Sequence, residues 1–128
     1  MDGSFAYTCL VMILVVDDDF SFLELASKLL NRDRQVFLAT DAKQAFELAK
    51  HLGFSVALVD LDLKGKEGLS LIQRLRESFP EISIIAISTT LTGGELDAAR
   101  KLGVAEVLQK PITPAWKPLV ERLRARKE

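Results

Sequence analysis

Four short apolar runs, each closed by a polar group, constrain this chain more than any other feature. Ile13-Leu14-Val15-Val16 runs into Asp17-Asp18-Asp19, and Val56-Ala57-Leu58-Val59 into Asp60. Ile84-Ile85-Ala86-Ile87 ends in Ser88, and Val107-Leu108-Gln109 in Lys110-Pro111. The apolar central runs read as parallel strands buried on both faces. A fifth run, Gln35 to Ala39, reads as another strand.

Between the runs the apolar period becomes helical. Phe22, Leu25 and Leu29 recur beside Leu23, Ala26 and Leu30. Asp41 is placed as an N-cap, with Gln44 three residues on and Ala42, Ala45, Phe46 and Ala49 marking one face; Gly53 closes that helix. Gly68 precedes a third helix carrying Leu69, Ile72, Leu75 and Phe79, stopped by Pro80. Gly93-Gly94 opens a short fourth helix that closes at Gly103. The tail from Thr113 to Glu128 carries Leu119, Val120 and Leu123 on a basic helix. Pro118 falls where that helix should already be under way if Thr113-Pro114 starts it. Proline removes an internal hydrogen bond, so either the first turn is distorted or the helix restarts near Pro118.

Strands alternating with helices imply right-handed crossovers and a parallel sheet covered on both faces. The expected fold is α/β, a doubly wound five-stranded sheet. In such a sheet the strand C-termini share one edge, and ligands bind in the crevice outside it. Asp17, Asp18, Asp60, Ser88 and Lys110 therefore converge there. Crowded carboxylates repel one another unless a cation neutralises them, and oxygen ligands suit Mg²⁺. The constellation fits phosphoryl chemistry.

At 128 residues the chain makes one domain. A net charge of -1 carries no polyanion signal, so nucleic acid is not an expected partner. The single cysteine, Cys9, cannot form an internal disulfide, and a reducing cytoplasm is the expected compartment. The longest uncharged stretch, residues 3 to 16, falls short of the roughly 18 residues a membrane helix needs. Residues 1–11 read as an extension, whether loose, an added start or a longer first strand; the domain proper covers 12–128.

Over about residues 12–125 the chain closely resembles the receiver domain of bacterial two-component response regulators. The resemblance rests on Leu14-Val15-Val16-Asp17-Asp18, Asp60-Leu61-Asp62-Leu63 followed by Gly68, Ile87-Ser88, and Lys110-Pro111, in that order and each at a strand end. It implies a flavodoxin-like strand order 2-1-3-4-5 and Mg²⁺-dependent transfer of a phosphoryl group from a histidine kinase or phosphotransfer protein. Asp60 resembles the phosphoacceptor, Lys110 the phosphoryl-pairing lysine, and Ser88 the hydroxyl that binds the new group. Asp18 and Asp60 are implied as direct metal ligands, Asp17 as a ligand mainly through water, and Asp62 through its backbone carbonyl. Asp62, Thr89, Thr90 and Val107 occupy switching and tuning positions. The family also implies a cis Lys110–Pro111 bond and leaves open a homodimer through the fourth and fifth helices.

Several residues also have plainer readings. Asp17-Asp18-Asp19 could serve as a helix-start cluster, and Asp19 reads so in any case. Lys110 alone would face solvent, and Ser88-Thr89-Thr90 alone would be a polar loop. His51 reads as surface, Trp116 as apolar cover, and Arg122, Arg124, Arg126 and Lys127 as a solvated helical face. The pattern departs from the family at Val107, usually aromatic, and at Lys64, often proline.

The leading expectation is a signalling switch rather than an enzyme, with no output domain after Glu128. A receiver-like adaptor that never uses phosphate is one alternative. Asp60-Leu61-Asp62 also resembles the nucleophile motif of haloacid dehalogenase-type phosphatases. There the acidic metal pair follows the lysine, whereas Asp17-Asp18 precede it here.

Overall fold

The computed structural model describes residues 12–30, 35–64, 67–90 and 93–125; the extension with Cys9, and Arg126 and Lys127, lie outside them. Each apolar run forms a strand: β1 (Met12–Val16), β2 (Gln35–Ala39), β3 (Val56–Asp60), β4 (Ser83–Ser88) and β5 (Glu106–Gln109). All pair in parallel in the order β2-β1-β3-β4-β5. The connecting helices are α1 (Phe20–Leu30), α2 (Ala42–His51), α3 (Glu67–Ser78), α4 (Gly94–Lys101) and α5 (Trp116–Ala125).

Side chains alternate across a strand, and the unbroken runs therefore feed two cores at once. Leu14, Val16, Ala57, Val59, Ile84 and Ala86 face α2, α3 and α4. Ile13, Val15, Val56, Leu58, Ile85 and Ile87 face α1 and α5, against Phe22, Leu23, Trp116, Val120 and Leu123. Each fully buried Val, Leu or Ile contributes about 1.5–3 kcal/mol relative to exposure. The register sets Val16 level with Ala39 and Val59, Asp60 with Ile87, and Ser88 with Gln109. The polar residues that end the strands thus meet at one edge.

The α2 cap forms as the sequence suggests. Asp41 Oδ1 accepts from Gln44 N at 2.7 Å, while Gln44 Oε1 reaches back to accept from Thr40 N at 2.8 Å. The first contact satisfies a donor that a helix start leaves over, and the second ties the residue ahead of the cap to the first turn.

Four expectations need correction. Leu25 is 55% exposed, because the buried stripe of α1 runs through Phe22, Leu23, Ala26 and Leu30 instead. Gly68 lies inside the first turn of α3, not ahead of it, and is buried. A Cβ there would run into the Asp60 carbonyl oxygen and come within 3.0 Å of Leu61 Cα. Phe79 lies beyond the end of α3, with its ring 5.6 Å from Phe46. The last helix begins at Trp116, not at Thr113. Trp116 N donates to Thr113 O at 3.0 Å and Lys117 N to Pro114 O at 3.2 Å, as a turn ahead of it. Pro118 then falls in the first turn, where an N–H would have no helical partner.

No helix among the described residues is long and apolar enough to cross a membrane.

Candidate functional site

Asp60 is the last residue of β3 and only 1% exposed. The backbone turns at once behind it: Leu61 N donates to Ile87 O at 2.8 Å, and Leu63 N to Asp60 O at 3.2 Å. Asp62 N donates to Asp60 Oδ1 at 2.9 Å, which fixes one carboxylate oxygen and leaves Oδ2 facing Lys110.

At the end of β1, Asp17 is wholly buried and Asp18 exposed. Asp17 Oδ1 accepts from Asp19 N at 2.9 Å, and Asp19 Oδ1 accepts from Ser21 N at 2.9 Å. Asp19 therefore serves the start of α1, as its sequence position suggests. Asp17, Asp18 and Asp60 each offer a carboxylate oxygen within 4.8 Å of the others.

Lys110 follows β5, and its N–H extends the ladder by donating to Ser88 O at 2.9 Å. The Lys110–Pro111 bond is cis. The ammonium turns into the site, 2.6 Å from Asp17 Oδ2 and 3.5 Å from Asp60 Oδ2, and lies 4.8 Å from the centre of the Phe22 ring. Asp17 Oδ2 is thus held by the Lys110 ammonium as a close ion pair.

The electrostatics follow from this crowding. Burial raises the Asp60 pKa to about 6, helped by the charges of Asp17 and Asp62 and opposed by the Asp62 N–H and Lys110. Burial works against the Lys110 ammonium, yet its contacts with Asp17 and Asp60 prevail and raise its pKa.

Ser88 is buried, and its Oγ accepts from Thr90 N at 3.2 Å, leaving the hydroxyl proton free to donate. Two interactions escaped the sequence reading. Asp62 Oδ2 accepts from Thr89 N at 3.3 Å and from Thr89 Oγ1 at 3.2 Å. Gln109 Nε2 donates to Thr89 O at 3.1 Å. Gln109 carried only one sequence signal, its place next to Lys110 at a strand end. Val107 is partly buried against the core on the α4 side.

The chain matches the family described as response regulator receiver domain over residues 13–124. This chain belongs to that family. Among curated relatives, the receiver resembles the transcriptional regulatory protein CitT of Bacillus subtilis, at 27% identity over 81% of this chain and 47% of that protein. It is 32% identical to a response regulator receiver protein of Anaeromyxobacter over 77% of this chain and 42% of the relative. The receiver spans about half the length of these relatives. Among solved structures, a CheY-like receiver from Methanospirillum hungatei shares the fold, with a TM-score of 0.81 and 24% identity over 92% of this chain and 94% of that one. A Burkholderia pseudomallei response regulator, crystallised with a phosphorylated aspartic acid, calcium ion and citrate, is 27% identical, with a TM-score of 0.79 over 91% of this chain and 68% of that one.

The receiver's acidic cluster suits a hard divalent cation. Its donors are all oxygens, and its carboxylates outnumber the one ammonium between them.

Proposed function

We propose that this receiver accepts a phosphoryl group on Asp60 from a histidine kinase or phosphotransfer protein and thereby changes its affinity for a downstream protein. The observation that carries this reading is the placement of Asp60. It is a buried carboxylate at a strand end, with one oxygen held by Asp62 N–H and the other turned to Lys110, beside Asp17 and Asp18.

A carboxylate oxygen of Asp60 attacks phosphorus, the bond from phosphorus to the donor histidine nitrogen breaks, and that nitrogen keeps the electron pair. Lys110 offers a point charge to the phosphoryl oxygens. The free hydroxyl proton of Ser88 supplies a further donor. Asp18 and Asp60 would hold Mg²⁺ directly, Asp17 mainly through water, and Asp62 through its carbonyl. When bound, the ion offsets charge on the transferring group. Asp62, Thr89 and Thr90 would tune phosphoryl lifetime, and Val107 would take the switch position. Leu25 is exposed beside a cleft of about 390 Å³ that is lined also by Phe22, Lys110, Pro111 and Ile112, which gives a donor protein an apolar approach. The role is a switch in the cytoplasm rather than turnover, and α4 and α5 are the faces for any homodimer.

The B. pseudomallei relative, carrying a phosphorylated aspartic acid, supports the reading. Treating the protein with Mg²⁺ and acetyl phosphate should add one phosphoryl group by intact mass, and Asp60→Asn should abolish it without unfolding. Equal labelling of that variant would remove Asp60 from its role. An unlabelled wild type would favour a phosphate-independent adaptor, and turnover of small phosphate esters a phosphatase.

A further inference from the structure

A chain of side-chain hydrogen bonds crosses the ends of β3, β4 and β5 at the rim of the site. Gln109 Nε2 donates to Thr89 O, both donors of Thr89 go to Asp62 Oδ2, and Asp62 N donates to Asp60 Oδ1. Register makes this arrangement local, since Gln109 pairs with Ser88 directly beside Thr89. Thr89 is gripped from both sides. Its carbonyl is held from β5, and its N–H and hydroxyl hold a carboxylate from the loop after β3.

That carboxylate lies two residues from the phosphoacceptor. A carboxylate at the mouth of the site can orient a water for attack on the acyl phosphate. An oxygen that already accepts two hydrogen bonds from Thr89 is drawn to the β4 side and has less capacity for such a water. We propose that Gln109 is a positioning residue that, by bracing Thr89, keeps the Asp62 carboxylate engaged and so lengthens the life of phosphorylated Asp60. This rests on the phosphoacceptor role proposed above. In the step being slowed, a water oxygen bonds to phosphorus and the bond from phosphorus to the Asp60 oxygen breaks. The electron pair stays on the carboxylate, and the water proton passes to solvent.

Gln109 is exposed at a strand end, so its replacement leaves the core intact. The test loads wild type, Gln109→Met, Asp62→Ala and the double variant with acetyl phosphate and Mg²⁺. The donor is then removed, and loss of the acyl phosphate is followed by intact mass. Gln109→Met should shorten the lifetime about threefold, the scale of one modest hydrogen bond, with an unchanged melting temperature. Thr89→Val, which removes the hydroxyl donor, should act in the same direction. In the Asp62→Ala background, Gln109→Met should have no further effect, because no carboxylate remains to release. Labelling with equal lifetimes in wild type and Gln109→Met would overturn this proposal alone. So would a Gln109→Met effect that persists in the Asp62→Ala background, which would place its action in the fold. Failure of wild type to label would overturn the phosphoacceptor reading and this proposal together.

Discussion

Replacing Asp60 by Asn should stabilise the metal-free protein, and by an amount that depends on pH. The folded protein holds the Asp60 proton up to about pH 6, whereas the carboxyl ordinarily releases it near 3.8. Between those values the folded state binds more protons than the unfolded one, so stability falls as pH rises through the window. The loss begins near pH 4 and is complete above about pH 6. The gap corresponds to roughly 3 kcal/mol, or about 10 °C in melting temperature for a chain this size. Asn does not titrate, so its own packing effect is nearly constant with pH. The difference between variant and wild type isolates the Asp60 charge together with its coupling to Asp17 and Lys110. The assay is thermal or urea unfolding of both proteins in EDTA between pH 4 and 8. The Asn variant's advantage should grow from pH 4 to 6.5 and then level off. Added Mg²⁺ should shrink it at pH 7 by stabilising wild type more. An advantage that is constant with pH, or that grows on acidification, would refute the reasoning.

Gly68→Ala should destabilise the fold by about 1–3 kcal/mol or more, because the new methyl meets backbone rather than a movable side chain. Gly94→Ala, with open space around the new methyl, is the neutral comparison; equal urea midpoints for the two would show that the contact can relax. Beryllofluoride with Mg²⁺ should alter hydrogen exchange across residues 89–102 while Val107 keeps its rotamer, since a small side chain stiff about χ1 stores little switching energy. Changes confined to the loops around Asp17 and Asp60 would contradict this.

The three central strands were legible because a strand buried on both faces is built from apolar residues, a run that loops and surface helices seldom carry; the edge strands β2 and β5 are only partly buried. The bounds of β2 follow from Gln35 to Ala39 alone. Convergence of Asp17, Asp60, Ser88 and Lys110 was legible for the same reason: runs of equal depth end at one edge. Leu25 misled because a leucine at helical spacing counts toward the apolar face even where the stripe has rotated past it. Gly68 was read as a helix signal, whereas its role is close contact with β3, which depends on how near α3 approaches. The bonds among Asp62, Thr89 and Gln109 rest on strand register and on side-chain reach between residues far apart in sequence. No local pattern encodes those.

Trp116 is the only tryptophan in the chain, and its ring centroid lies 5.8 Å from that of Phe22, whose face the Lys110 ammonium overlies at 4.8 Å. The protein thus carries its own optical reporter one ring removed from the site. Any event that draws the ammonium toward incoming anionic oxygens changes the charge above Phe22 and the electric field at the indole. Intrinsic fluorescence can therefore follow occupancy of the pocket in real time on the unlabelled protein, and Phe22→Leu would quieten that signal while leaving the acidic cluster in place.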